Sequence, residues 1–313
     1  MKTPEAQSTA LPDVAIKQDR RFDQPIDWVG MGAVQVPVKV NLQGQDLNLM
    51  AQIQVMVSLD LSPSRGIHMS RLYALVQDLG SVPLTMSALR ELSVRLFESQ
   101  NKQSLLSSAS RLQLSFELPL RRQSLKSGLW SWKTYPLSLL LESRQGESAL
   151  NLVDLRFMYS STCPASAALA RDLNSKNFLA HQNAPVLNPE VAAEFLNSEA
   201  GMIATPHAQR SEAHVQLLVD DSFELSQIPL WIDELESAVG TPVQGAVKRE
   251  DEQEFARLNG TNLMFCEDAV RQLATTVDQL AGVTGYRLQM SHFESLHAHN
   301  AVSIKKKNFN FSV

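Results

Sequence analysis

The chain has 313 residues, and its content of 44% hydrophobic and 19% charged residues is typical of a globular protein with room for two domains. A net charge of −5 argues against a general binder of nucleic acid or of anionic membranes. No stretch approaches the roughly 18 apolar residues of a membrane span. The two cysteines predict no disulfide framework, so we expect a cytoplasmic protein.

Alternation of apolar and polar residues predicts two strands after a polar N-terminal arm at 1–24. The strands are VQVPVKVNL and LNLMAQIQVMVSLD, joined by QGQD. The next segment, MSALRELSVRLFESQ, has helical periodicity and places Leu89, Leu92 and Leu96 on one face. RLQLSFELPLR and YPLSLLLES then return to alternation and predict two more strands.

The same order of elements recurs in the second half. NLVDLRFMYSST and AHVQLLVDDSF are strand-like, whereas IPLWIDELESAV and FCEDAVRQLATTVDQLAG have helical periodicity. The last of these helices is closed by Gly282 and carries an apolar stripe formed by Cys266, Val270, Leu273, Val277 and Leu280. YRLQMSHFESLHAH is again predicted as a strand.

This repetition predicts an α+β fold of two modules, at 25–150 and 151–313, each an antiparallel sheet backed by helices on one face. A short echo between GIHMSR and TPHAQRS, each with Arg three residues after His, fits a duplication. The segment 172–205 is rich in Asn and Ala and lacks alternation, so we interpret it as an inserted surface loop. One short helix is predicted within it, beginning at Asn188.

Three of the seven histidines fall within SHFESLHAHNAV. On a strand, His297 and His299 share a face, and His292 points the other way. One interpretation is a metal or proton-transfer site for the pair and a structural role for His292. A chance cluster on a strand explains the pattern equally well.

Three further residues are candidate ligands. Cys163 follows a predicted strand and precedes Pro164, which ends the ladder, so we expect its thiol to face a cleft. His207 stands at the start of the next strand. Glu252 lies in VKREDEQEF, for which a solvated charged face is the ordinary interpretation. Thiolate, imidazole and carboxylate together suit Zn²⁺, Fe²⁺ or Mn²⁺, but this spacing is not by itself a known metal motif.

Five segments carry a resemblance to a known family: GIHMSR, STCP, HAQRS, AVKREDEQEFARLNGTNLMFCEDAVRQL and SHFESLHAHNAV. They resemble the signature segments of the type IB GTP cyclohydrolases, and the resemblance runs from about Leu11 to Ile304. It implies the tunnelling fold, with two tandem modules in each subunit that assemble into barrels across subunits, and a homotetramer. It also implies hydrolysis of GTP to 7,8-dihydroneopterin triphosphate and formate, the first step of pterin and folate synthesis, with Mn²⁺, Fe²⁺ or Zn²⁺ as the metal.

The resemblance assigns roles to individual residues. It implies a metal site formed by Cys163, His207, Glu252 and His297. Glu267, in FCED, corresponds to the carboxylate that anchors the purine; without the resemblance we would interpret it as a charge at a helix N-terminus. The chain departs from the family in two places. Ala165 stands where many members have the second cysteine of Cys-Pro-Cys-Ser, and the insert between Cys163 and His207 is longer than in compact members.

The chemistry of the residues agrees with these roles. A metal acidifies a bound water toward neutrality, which supplies a nucleophile for C8 of guanine. Glu267, ionised at the start of a helix, can accept two hydrogen bonds from the guanine edge. Cys163 is then catalytic through the metal, and His299 is left free to pass protons during ring opening. Cys266, on the apolar stripe, is assigned to the core.

The triphosphate needs cations and hydroxyl donors. The candidates are Arg71, Arg210, Lys248, Arg249, Ser70 and Ser211. A guanidinium binds phosphate through a planar pair of donors, which favours Arg71 and Arg210 over the lysine. The basic IKKKNF near the C-terminus is interpreted as a solvated tail.

Two other functions stay open. One is a different tunnelling-fold enzyme that acts on a pterin or a purine and shares the glutamate anchor but not all four ligands. The other is a non-catalytic relative that binds metal or nucleotide. The complete set of four ligands favours the cyclohydrolase.

Overall fold

The computed structural model describes residues 24–42, 44–60, 65–101, 106–182, 186 and 188–310. The predicted N-terminal arm at 1–24 lies outside the described residues except for its last position, and so does one residue of the predicted QGQD connection. Within the described part of the chain, no helix is long and apolar enough to cross a membrane.

In the described part of the chain, eight strands form one sheet in which the strand order follows the chain order. The strands are β1 (Ile26–Leu42), β2 (Gln45–Leu59), β3 (Ala109–Gln123), β4 (Trp130–Arg144), β5 (Leu150–Thr162), β6 (Ala208–Val219), β7 (Val283–His292) and β8 (Ala301–Lys307). The pairs β1–β2, β2–β3, β6–β7 and β7–β8 are antiparallel. The α+β class and the antiparallel sheet backed by helices are therefore confirmed.

Seven α-helices lie in the described residues. They are α1 (Met69–Gln77), α2 (Met86–Glu98), α3 (Pro164–His181), α4 (Pro189–Asn197), α5 (Ile228–Val239), α6 (Arg249–Thr261) and α7 (Cys266–Val277). The predicted helices α2, α5 and α7 are present at the expected positions. The chain divides into two compact units, one of Met1–Phe116 and Ser138–Asn151 and the other of Glu117–Leu137 and Leu152–Val313.

The first unit has a core made by alternating strand residues and one helix face. Val36 and Val38 on β1 and Val55 on β2 are fully buried, as period-two alternation requires. Helix α2 begins after Thr85, whose side chain accepts a hydrogen bond from the Ala88 N–H. The predicted face of α2, formed by Leu89, Leu92 and Leu96, is buried.

In the second unit, α7 packs against β7 and β8, and α5 packs against α7. The predicted apolar stripe of α7 is buried at all five positions, including Leu273 and Val277. The helix itself ends at Val277, and Leu280 covers the core from the turn that follows. Gly282 has a φ of +82°, a left-handed conformation that a side chain disfavours, and it leads the chain into β7.

The prediction of an inserted surface loop at 172–205 is partly wrong. Helix α3 begins at Pro164 and continues to His181, so the first third of that segment is helical. The short helix predicted from Asn188 is confirmed as α4, and the Asn188 side chain accepts hydrogen bonds from two backbone N–H groups of its first turn. No residue of α4 is buried, in agreement with a surface position.

The last predicted strand runs to His299, but the observed strand β7 ends at His292. The N–H of Phe293 donates to Arg210 O at 3.1 Å, and the N–H of Glu294 donates to His292 O at 3.0 Å, so the chain turns out of the ladder. Residues 293–300 form the connection to β8.

Two other predictions need correction. IKKKNF is predicted as a solvated tail, but its first four residues belong to strand β8. In that strand Lys307 Nζ is 2.8 Å from a carboxylate oxygen of Asp278. The echo between GIHMSR and TPHAQRS does not mark equivalent positions. His68 precedes helix α1, whereas His207 precedes strand β6, so the two strings have different backbone conformations.

Candidate functional site

Cys163 and His207 lie side by side where β5 ends and β6 begins. The N–H of Cys163 donates to His207 O over 3.3 Å, and the N–H of His207 donates to the hydroxyl of Ser166 at 3.1 Å. Cys163 is a free, half-buried cysteine directly before α3, and Pro164 occupies the first position of that helix. The structure therefore brings together two of the four predicted metal ligands.

Two side-chain oxygen atoms lie near Nδ1 of His207. Its Nδ1 lies 2.9 Å from Oε1 of Gln209 and 3.8 Å from a carboxylate oxygen of Glu294. With Nδ1 engaged by the carboxamide, Nε2 is the nitrogen left to bind a ligand. Glu294 is not among the candidate site residues predicted from the sequence, although its position between the clustered histidines is a signal for one.

A row of buried polar side chains leads away from His207. Gln209 Nε2 donates to Ser161 Oγ at 3.0 Å, and Ser161 Oγ is 2.8 Å from Ser211 Oγ. At the far end, the hydroxyl of Tyr159 is 2.9 Å from Nε2 of His292. Burial raises the pKa of Tyr159 far above its ordinary value, and a hydrogen bond from Ser211 opposes that rise. Ser211 therefore bonds within the core, where it does not face a phosphate.

His292 is buried in this core. Burial lowers its pKa from 6.5 to about 4, and the negative charge of Glu267 opposes the shift. The imidazole is therefore neutral at physiological pH, and its ring packs edge-on against that of Tyr159.

Glu267 lies in the first turn of α7 with an exposed side chain. Its neighbour Asp268 accepts a hydrogen bond from the Phe265 N–H and caps the helix, which leaves the Glu267 carboxylate available to a ligand. Cys266 is buried, with Sγ 3.3 Å from Met290 O, as expected for a core residue.

His297 and His299 lie in the connection between β7 and β8, with both side chains exposed. Their rings stack, with centroids 5.0 Å apart and planes 16° from parallel. The two imidazoles are therefore adjacent, as expected, but the loop places them together rather than strand alternation.

Glu252 lies in the first turn of α6, exposed to solvent. The helix is attached to β5 near its other end, where Asn259 Oδ1 accepts hydrogen bonds from Ser160 and Thr162. Glu252 precedes Asn259 by seven residues, or about 10 Å along the helix axis. Among the described residues, Glu252 is not grouped with Cys163 and His207 in a cluster that could hold a metal ion.

The start of α6 is held by a buried carboxylate. Asp251 accepts hydrogen bonds from the backbone N–H groups of Lys126, Ser127 and Lys248 at 2.7, 2.9 and 2.8 Å. These bonds lower the pKa of Asp251 well below its usual range, against the opposing effect of burial. They also fix the backbone from which Glu252 projects.

The phosphate candidates are divided between the two units. In the second unit, Arg210 on β6, Lys248 before α6 and Arg249 in its first turn are exposed. In the first unit, Ser70 is exposed in α1, and Arg71 donates to Ser99 O at 2.9 Å. Arg71 lines a cavity of about 440 Å³ together with Arg95, Glu98 and Ser99 and two apolar residues of α1.

Among the described residues, no three side chains of His, Cys, Asp or Glu are grouped so that they could hold a metal ion. The donor types nevertheless suit a divalent transition metal: the backbone of Cys163 is hydrogen-bonded to that of His207, and Nδ1 of His207 lies 3.8 Å from a carboxylate oxygen of Glu294. The four-ligand site stays a prediction.

Comparison with known proteins identifies the family. The family described as type I GTP cyclohydrolase folE2 matches residues 11–303. The chain is 42% identical over 299 residues to the GTP cyclohydrolase FolE2 of Hydrogenovibrio crunogenus, with 95% of this chain and 94% of that protein covered. The chain belongs to the type I GTP cyclohydrolase folE2 family. The FolE2 of Bdellovibrio bacteriovorus is 45% identical over 302 residues, with 94% and 95% covered.

Solved structures add the fold of this folE2 family member. A uricase from Arthrobacter globiformis superposes with a TM-score of 0.50 at 7% sequence identity, with 91% of this chain and 94% of that chain covered. At this identity the likeness concerns the fold alone. The resemblance first seen in five short segments is thus confirmed at the level of the family.

Proposed function

We propose that the protein hydrolyses GTP to 7,8-dihydroneopterin triphosphate and formate, as the first step of pterin and folate synthesis. Its membership of the folE2 family over nearly the whole chain supports this function. The structural observation that carries it is the adjacency of Cys163 and His207, since these are the thiol and imidazole that the family resemblance assigns to the metal.

The residues proposed to hold a divalent Mn²⁺, Fe²⁺ or Zn²⁺ are Cys163, His207, Glu252 and His297. When bound, such an ion acidifies a water molecule and so supplies a nucleophile for C8 of guanine at neutral pH. Cys163 would bind as the thiolate, and His207 through Nε2, because Gln209 engages Nδ1.

The purine would be oriented by Glu267. Its exposed carboxylate accepts hydrogen bonds from N1–H and the N2 amino group of guanine, which fixes the direction of C8. His299 would exchange a proton with the imidazole-ring nitrogen of guanine that is released when the ring opens. Its stacking on His297 keeps it beside a proposed ligand.

The triphosphate would be bound by Arg71, Ser70, Arg210 and Lys248. We propose that some of them act across a subunit boundary in a homotetramer. The sheet of the described residues ends at β1 and β8, and the unpaired backbone groups of an edge strand can pair with a partner chain, which supports such an assembly. Pairing at these edges would close the barrels of a tunnelling fold built from two modules.

The function is tested by incubating the purified protein with GTP and Mn²⁺, oxidising the product and measuring pterin fluorescence. Formation of a fluorescent pterin together with formate is expected. A protein that binds Mn²⁺ and GTP but forms no product would instead be a non-catalytic binder. Turnover of a pterin or purine other than GTP would point to another tunnelling-fold enzyme. Both cysteines are free, which supports a reducing, cytoplasmic setting.

A further inference from the structure

The polar row beside His207 occupies one face of three neighbouring strands. Tyr159 and Ser161 are two residues apart on β5, Gln209 and Ser211 are two apart on β6, and Ser211 pairs with His292 on β7. Each therefore points to the same side of the sheet. All five residues are buried, so each polar group needs a hydrogen-bond partner.

The hydrogen bonds of the row begin at Gln209. Its Nε2 donates to Ser161 Oγ, and the Ser161 hydroxyl oxygen lies 2.8 Å from that of Ser211. Ser211 hydrogen-bonds Tyr159, whose hydroxyl oxygen lies 2.9 Å from Nε2 of His292. The amide nitrogen of Gln209 is thereby committed to Ser161, and its carbonyl oxygen must face His207, where it lies 2.9 Å from Nδ1.

We propose that Gln209 is a positioning residue for the metal centre: its carboxamide oxygen holds the proton on Nδ1 of His207, so that Nε2 is presented to the metal. The residues Ser161, Ser211, Tyr159 and His292 hold the carboxamide in that orientation. The inference rests on the proposed role of His207 as a ligand. Loss of a residue that hydrogen-bonds a metal ligand without touching the metal typically lowers metal affinity by about 10–100-fold.

Gln216 provides a matched control for a purely structural role. It lies on the same strand and is as buried as Gln209, at 2% against 7% exposure. Its carboxamide also makes two hydrogen bonds, donating to Asp154 at 2.8 Å and accepting from Arg287 at 3.2 Å. It faces the opposite side of β6 and does not contact His207.

The experiment measures Co²⁺ binding to the metal-free full-length protein by competition with a chromophoric chelator. Gln209→Met should bind Co²⁺ about 10–100-fold more weakly than wild type. Gln216→Met should bind it as wild type does. Both variants should melt at lower temperature, because each loses a hydrogen-bonded buried carboxamide. Gln209→Glu keeps an acceptor for Nδ1–H but cannot donate to Ser161, so it should recover part of the affinity that Gln209→Met loses.

Tyr159→Phe tests the rest of the row, because it breaks the row without touching His207. It should weaken Co²⁺ binding by less than Gln209→Met does. Wild-type affinity in a folded Gln209→Met protein, or an equal loss in Gln216→Met, would overturn the proposal. So would a wild-type protein that binds no Co²⁺. If the affinities follow the expected order but no pterin forms from GTP, the proposed function fails and the role of Gln209 stands.

Discussion

Nδ1 of His207 lies 3.8 Å from a carboxylate oxygen of Glu294, and both side chains are largely shielded from solvent. This contact places a carboxylate beside the proposed ligand pair, whereas Glu252, the carboxylate assigned by family resemblance, is exposed in the first turn of α6. The two glutamates can be distinguished by how much bound metal the protein loses when each is replaced.

Glu252→Gln and Glu294→Gln distinguish the two carboxylates. If Glu252 completes the metal site, Glu252→Gln should lose most of its bound metal, because a neutral amide is a weaker ligand for a divalent ion. Glu294→Gln should then retain the metal. Metal analysis of the purified variants checks this. The reverse pattern would assign the ligand to Glu294 and remove Glu252 from the site.

Cys163→Ala should abolish turnover while the fold survives. The thiolate binds the metal, and a half-buried residue before a helix contributes little packing. Pterin fluorescence and the melting temperature measure the two effects. Cys266→Ala is the control, since Cys266 is buried: it should melt lower but keep turnover. Wild-type turnover in a folded, metal-loaded Cys163→Ala protein would exclude the proposed role.

Glu267→Gln should weaken GTP binding and lower the rate without loss of metal. The amide would turn a donor toward a guanine N–H, and an unpaired buried polar group costs about 1–3 kcal/mol. GTP affinity and metal content are measured together. Asp268→Asn in the same turn is the control and should bind GTP normally, since Asp268 caps the helix. Loss of metal with normal GTP binding in Glu267→Gln would identify a ligand in place of an anchor.

His297→Ala and His299→Ala should separate a metal ligand from a proton carrier. His297→Ala is expected to lose metal and activity together. His299→Ala should keep the metal and lose about 10²–10⁴-fold in rate, the usual contribution of a general acid or base. Metal content and kcat of both variants test the assignment. An empty site in His299→Ala with full occupancy in His297→Ala would exchange the two roles.

His292 should make the fold sensitive to mild acid. Its pKa falls from 6.5 in the unfolded chain to about 4 in the folded protein, so the unfolded chain binds more protons between these values. The stability that depends on neutral His292 is therefore present above pH 6.5 and is lost as the pH falls toward 4, by up to about 3 kcal/mol. Urea unfolding at several pH values measures it. His292→Phe should be less stable at neutral pH and should lose less stability over this window; an unchanged slope would contradict the assignment.

Several elements were predictable because their apolar spacing is a local property. The stripe of α7 and the alternation of β1 and β2 follow directly from residues a few positions apart. Helix α6 has no such stripe. It is held by polar side chains, with Asn259 bonded to β5 and Asp251 bonded to the β3–β4 connection. Strand β8 ends in three lysines and is mostly exposed, so its pairing with β7 is not marked by a buried apolar face in the sequence.

The family, the types of ligand and the segments that carry them can be recognised in the sequence, because short motifs are defined by residue identity and spacing. Which groups meet at His207 depends on the tertiary structure. Gln209 is two residues along the chain from His207, but Glu294 is far along the chain and arrives because β7 pairs with β6 and the chain turns at His292. Strand pairing depends on packing over the whole sheet, so no local spacing predicts that contact.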